Sequence, residues 1–380
     1  MTIENRNISM NSNISIEQKK DMKAAVFLQE NDFNINASDG LPEEFNLNDN
    51  EVLNNSANGA FPEVGNGLVD KNGLLLSNGA GTDYSEIKKD GYTPQGQTES
   101  ENELIISAYK NGKKSRLYIY DKETKELIAV IVLPTDAHVG GAALDEEHSV
   151  LYVTDKSGKV KAYDYEALMK AMRRVKEKEP ILNFSDDESE GKKTNTESIE
   201  IPCDINIRDY LDDENANSAT CTYHDGCIYV ATFDYTGKLV RFKLKYNEDG
   251  TITTEGEVIK DDLPIAVQGI CFYTDPVTGE EYLITAQSYG GSNSSYGTKS
   301  CLKKYKITDD GHLEFVGQKE MDYYYAEGIT CDEDGNITSV HENKWGSTDI
   351  VQETNINDLD EPWDQELEDH YKEGVDKFYE

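Results

Sequence analysis

Five stretches of this chain open alike, and that recurrence limits the folds open to it more than any other feature. They are PQGQTESENELIISAY from Pro94, HVGGAALDEEHSVLYVTD from His138, SATCTYHDGCIYVATFD from Ser218, VQGICFYTDPVTGEEYLITAQSYGG from Val267 and AEGITCDEDGNITSVHENK from Ala326. Each joins a strand of small residues, through a polar turn, to a second strand rich in Ile, Val, Leu, Tyr or Thr. That is the pattern of a β-hairpin. Third strands follow four of them, RLYIYD, KVKAYDY, KLVRFKLKY and CLKKYKIT, and fourth strands follow less regularly, as in ELIAVIVLP, TITTEGEVIK and LEFVGQKEM. Four antiparallel strands repeated about every 40 to 60 residues predict an all-β chain folded as a β-propeller. Five blades are expected, with a sixth, degenerate blade from residues 61–92 as the alternative. The fifth blade is short of outer strands after Trp345, and Gly73-Leu-Leu-Leu-Ser77 is the strand expected to complete it and close the ring.

The propeller is expected over residues 61–350. Residues 1–60 are polar and Asn-rich and read as a disordered arm, with one short helical signal after the capping box Ser15-Ile-Glu-Gln18. An insertion at about 165–200 begins with a helix over Tyr165–Val175, its apolar face formed by Leu168, Met172 and Val175, and continues as acidic sequence. Residues 351–380 read as an acidic tail ending in an amphipathic helix, with Trp363, Leu367, Tyr371 and Val375 spaced by four behind Pro362. That helix either packs on its own domain or docks a protein partner.

Composition removes several functions. A formal charge of -37 disfavours nucleic acid, whose recognition rests on clustered Lys and Arg, and also anionic membrane surfaces. The apolar run Ile128–Leu133 is far too short to span a bilayer, and the first residues lack the basic and apolar regions of a secretory signal. A cytoplasmic chain, or one exported by a non-classical route, is expected. Six cysteines in a chain this long, with no CxxC pair, do not make a disulfide framework or a zinc ribbon. No HExxH, G-x-S-x-G or phosphate-loop motif is present.

Propeller topology says where the remaining ionisable residues meet. The first strand of a blade starts on one face of the disc and the second returns to that face. The strand starts therefore gather Gln95, His138, Ser218, Gln268 and Glu327 around one mouth of the central channel. The strand ends add Ser107, Tyr109, Thr154, Asp155, Thr232, Asp234, Ser288, Tyr289, His341 and Glu342. Convergent polar groups in a concavity are the default binding-site hypothesis, and a small molecule or peptide is the expected ligand. Glu327 and His138 are the candidate catalytic pair, because a carboxylate is costly to desolvate without a partner. A divalent cation such as Ca²⁺ is the cofactor such oxygen-rich surroundings could take, although no full ligand set is legible.

Gly328-Ile-Thr-Cys-Asp-Glu-Asp-Gly-Asn336 resembles the blade motif of propellers of the NHL and SMP-30 type. Thr93-Pro-Gln-Gly96, Leu104–Tyr109 and Ala326-Glu-Gly-Ile-Thr330 resemble the blade starts of plant-type glutaminyl cyclase, a five-bladed propeller, over about two blades. The combination of HVGG, VQGI, SQSYGG and AEGI also looks like bacterial propeller proteins without a settled activity. The cyclase likeness implies that Glu327 would shuttle the proton as an N-terminal amine attacks its own side-chain amide. The SMP-30 likeness implies a metal-assisted hydrolase with Glu327 as a ligand. The alternative to an enzyme is a protein-interaction scaffold.

Overall fold

The computed structural model describes residues 68–69, 75–76, 84, 86–172, 181–187, 189, 199–289, 299–308, 310–342 and 350–379. The chain divides into two compact units, Met1–Leu68 and Val69–Glu380, and the architecture below belongs to the second. The expected arm over residues 1–60, with its helix near Ser15, lies outside the described residues.

The strands follow the hairpin pattern. The first unit of the repeat comprises Thr93–Glu99, Glu103–Tyr109, Arg116–Asp121 and Leu127–Val132, and the second Ala142–Asp145, Val150–Thr154, Lys159–Asp164 and Glu200–Asn206. The third comprises Ser218–His224, Cys227–Thr232, Leu239–Tyr246 and Ile252–Val258, and the fourth Val267–Thr274, Glu281–Ser288, Lys299–Ile307 and Leu313–Tyr324. Ala326–Cys331, Asn336–His341 and Val351–Asn355 form the last. Neighbouring strands within each unit pair antiparallel. The first strands of the units touch in cyclic order, and the last touches the first. The chain is an all-β propeller.

The core explains the ring. Inner parts of the sheets are buried on both faces, so middle strands such as Glu103–Tyr109 and Val150–Thr154 are buried through their centres. A sheet with two apolar faces must be covered on both sides, and here the cover is the neighbouring sheet. Ile105, Leu117 and Ile119 of the first unit pack with Leu144, Leu151 and Val153 of the second. Tyr152 and Val160 meet Val230 and Phe242, Leu239 meets Val267 and Leu283, and Ile284 and Leu302 meet Ile329 and Ile337. Ile106, Tyr118 and Tyr120 close the circle on Val340, Ile350 and Val351.

Three details depart from expectation. The third strand of the last unit is Val351–Asn355, paired with Asn336–His341, so the propeller runs past residue 350. Leu75–Leu76 is a strand, but of a separate two-stranded sheet, and among the described residues no strand from before Thr93 joins the last unit. The second and third units share one hydrogen-bonded sheet, because Glu200–Asn206 also bridges Ile252–Val258 in parallel at Cys203 and Ile252. The last-to-first junction is instead held by side chains. The Gln97 amide donates to the Thr330 hydroxyl at 3.1 Å and to the Thr338 carbonyl at 2.6 Å.

The inserted helix, Tyr165–Met172, buries Leu168 and Met172 against the first two units, while Val175 lies outside the described residues. Ile181–Asn183, from the same insertion, pairs in parallel with the outer strand Leu127–Val132. The C-terminal helix, Gln365–Tyr379, places Leu367, Tyr371 and Val375 in a cluster with Ile265, Ala266 and Cys301. Its apolar face is therefore used by its own domain. Trp363 precedes the helix and lies over the Lys303 ammonium at 3.7 Å. Among the described residues, no helix is long and apolar enough to cross a membrane.

Candidate functional site

The first strands share an irregularity that aims side chains at the channel mouth. Val267 pairs with Gln287 and Gly269 with Ala286, so Gln268 is one residue too many for its partner strand. The same single insertion falls between Pro94 and Gln97, between Ser218 and Thr220, and between Ala326 and Ile329. An inserted residue leaves the ladder, and its side chain is turned away from the sheet face that register would dictate. The recurrence covers Gln95, Ala219, Gln268 and Glu327, and Gly140, just before Gly141, stands at the matching place of the second unit. His138 and Ser218, expected in this ring, sit two residues and one residue earlier. Nothing in the HVGG and SAT stretches reveals such an offset.

The glycines that follow let the strands crowd together. A Cβ on Gly328 would lie 2.4 Å from the Gln97 nitrogen, one on Gly269 would lie 2.2 Å from the Glu327 carbonyl oxygen, and one on Gly141 would lie 2.2 Å from the Cys221 nitrogen. Three entry points to the inner strands are strained. Val139, Ala266 and Tyr325 hold φ of 53°, 56° and 56°, a left-handed conformation that costs a residue other than glycine roughly 1–3 kcal/mol.

These strand starts open into a cavity of about 1270 Å³ lined by Gln95, His138, Asp155, Asp234, Gln268, Ser288, Tyr289, Glu327 and Glu342 among others. Glu327 is 4% exposed and Gln95 3%, whereas His138 is exposed at the rim. The Gln95 amide donates to a Glu342 oxygen at 3.0 Å and to the Pro94 carbonyl at 2.8 Å. The Glu342 backbone N–H donates to the Tyr325 carbonyl at 3.0 Å, which ties the end of one hairpin strand to the start of the other. The Asp155 carboxylate accepts from the Thr135 hydroxyl at 2.7 Å and caps the Lys156 N–H. The Asp234 carboxylate accepts the Tyr235 N–H at 2.6 Å.

Ser107 and Tyr109 are not among the cavity-lining residues. The Ser107 hydroxyl is fully buried, accepts from the Gly96 N–H at 3.0 Å and donates to the Val139 carbonyl at 2.6 Å, so it joins two units. Tyr109 supports the rim, its ring 3.7 Å from that of His138. Ser218 lines the cavity, but its hydroxyl is spent on the Asp155 and Lys159 carbonyls. His341 is buried on the Ser339 hydroxyl at 2.9 Å. Phe233, Tyr325, Asp212 and Asp213 also line the cavity without having been foreseen. Phe233 adjoins the expected Asp234, but the positive φ of Tyr325 leaves no mark in composition.

Among the described residues, no three His, Cys, Asp or Glu side chains come together as a metal ion requires. The dispersed carboxylates do not fit a Ca²⁺ shell, which needs six or more oxygens at one point.

No protein-family model and no curated protein matches the chain. Similar solved structures include the Dos1 propeller, at 13% identity and TM-score 0.31 over 71% of this chain and 57% of that one. A Bacteroides thetaiotaomicron structural-genomics protein of unknown function is similar at 14% identity and TM-score 0.36, over 68% and 57%. The WD40 repeats of RRP9 align at 8% identity and TM-score 0.31, over 69% and 93%. The chain thus spans just over half the length of the first two.

Proposed function

We propose that this chain is a five-bladed, small-ligand-binding propeller whose site is the channel mouth built around Glu327, Gln95 and Gln268. One observation carries the reading: a recurrent strand insertion puts a carboxylate, 4% exposed, into the wall of a large cavity beside two side-chain amides. Convergent polar groups in a concavity are where ligands bind, and a carboxylate and two amides offer both acceptors and donors to one. Where chemistry follows binding, Glu327 is the group to move a proton and the Gln amides are the groups to hold a carbonyl. A hydrolase or a cyclotransferase would both use that arrangement, as the family resemblances imply.

The scaffold reading gives the C-terminal tail a partner. Leu367, Tyr371 and Val375 are buried on the propeller, so among the described residues only Trp363 of that stripe is exposed, which favours the ligand-binding reading.

The test is Glu327→Gln beside wild type in a thermal-shift screen with divalent metals, sugars, lactones and glutaminyl peptides. A ligand that binds only the folded state raises Tm by mass action. The expected outcome is a shift that wild type shows and the variant loses, with the two Tm values close in the absence of ligand. A shift of equal size in both proteins would remove Glu327 from the site.

A further inference from the structure

We infer that the ligand of this cavity is an organic cation, an extended alkylammonium or guanidinium; the inference rests on the reading of the channel mouth as a ligand site. Among the described residues the charged lining is one-sided. Asp155, Asp212, Asp213, Asp234, Glu327 and Glu342 contribute carboxylates, against the ammonium groups of Lys156 and Lys238. Both lysines pair with carboxylates outside the lining, Lys156 with Asp136 at 2.6 Å and Lys238 with Asp262. The concavity therefore carries a negative field, and low-dielectric walls focus such a field into the space they enclose. An anionic ligand would enter against it.

Two further observations separate an organic cation from a metal ion. The carboxylates are spread around the wall, with no three ligating side chains together among the described residues. Aromatic surface is interleaved with them: Phe233 and Tyr289 meet edge to face with centroids 5.2 Å apart, and Tyr325 and Tyr235 also line the space. Aromatic faces attract ammonium and guanidinium groups and pack against their aliphatic stems. The volume, about 1270 Å³, exceeds the roughly 300–1,000 Å³ usual for a compact ligand, which suits an extended molecule.

Ser288 is an independent pointer to an occupant. It is 1% exposed and lines the cavity, and its hydroxyl oxygen finds no hydrogen-bond partner among the described residues. A buried hydroxyl is costly to leave unsatisfied, and an N–H of the ligand would supply the missing donor.

The experiment is isothermal titration of the full chain with three probes of similar length: spermidine, a neutral polyether and an aliphatic dicarboxylate. Each is run against wild type, Glu327→Gln/Glu342→Gln and the control Glu257→Gln, whose residue pairs with Arg241 away from the cavity. The expected result is one saturable site for spermidine, weakened about tenfold or more in the double variant and unchanged in the control. Circular dichroism melts confirm that the double variant folds. Equal spermidine binding by all three proteins would mean diffuse attraction to an acidic surface and overturn the inference. Binding of the neutral or anionic probe alone, lost in the double variant, would also overturn it while leaving the site reading intact. Saturable binding of no probe would overturn the inference and count against the site reading as well.

Discussion

Gly328 has so little room beside the first unit that its missing side chain is a structural requirement. A methyl group there would sit 2.4 Å from the Gln97 nitrogen and 2.8 Å from Gly96, distances that only a shift of one inner strand could relieve. Overpacking of this kind costs typically 1–3 kcal/mol, occasionally more. Gly328→Ala should therefore lower the unfolding free energy read from urea melts by that order. The control is Ala219 of the third unit, which matches Glu327, the residue before Gly328, and already carries a side chain in the same ring. Ala219→Gly should leave the unfolding free energy within about 1 kcal/mol of wild type, the ordinary backbone cost of glycine. A midpoint unmoved by Gly328→Ala would show that the strands are less tightly held than their geometry requires.

The C-terminal helix is fastened by a buried ion pair. Lys303, on the third strand of the fourth unit, is fully buried and meets the Glu368 carboxylate of the helix. The Gln287 amide donates to the same carboxylate at 3.1 Å. Removing one partner of a buried pair leaves the other without compensation and costs about 3–5 kcal/mol, whereas replacing both with apolar groups of similar volume is often neutral. Lys303→Met alone should therefore destabilise the chain strongly, and Lys303→Met/Glu368→Leu should recover most of the loss. The thiol of Cys301, buried beneath this helix, supplies a second reading: its labelling rate by a disulfide reagent should rise in the single variant and fall again in the double. This helix was readable from sequence because Leu367, Tyr371 and Val375 keep a helical spacing whatever they pack against. The hairpins were readable for a similar reason, since polar turns punctuate short apolar runs. The strand Val351–Asn355 was not, because its burial pattern is partial and it begins a strongly acidic stretch. Nor could sequence show that Gly140 and Ala219, rather than His138 and Ser218, match Glu327. That assignment depends on register, and a shift of one residue redirects every side chain of a strand.

Burial on both sheet faces makes the whole molecule sensitive to alkali. Desolvation pushes the thiols of Cys203, Cys221 and Cys301 from the ordinary value of 9.0 up to about 12, and burial likewise raises the hydroxyls of Tyr163 and Tyr305. These groups ionise in the unfolded chain first. Above pH 9 the unfolded state therefore holds fewer protons than the folded one, and stability falls as pH rises toward the folded values. Each such group contributes about 1.4 kcal/mol per pH unit within its window. Urea midpoints should accordingly be level from pH 7 to about pH 9 and then drop steeply. Substituting Cys221 and Cys301 with Ala should flatten the first part of that drop, and an unchanged slope would assign the lability to other groups.

The junction between the last unit and the first has a consequence for how the molecule breathes. A necklace whose ends are joined by a clasp opens at the clasp, and here the clasp consists of the Gln97 amide bonds together with the bond from Gln95 to Glu342. Gln95 and Glu342 also line the cavity. On the proposed reading, a molecule bound at the mouth would span the two ends of the ring and favour its closure. Amide hydrogens of Ala326–Cys331 should exchange with solvent more slowly when the cavity is filled, and by more than those of Ser218–His224 on the far side of the circle.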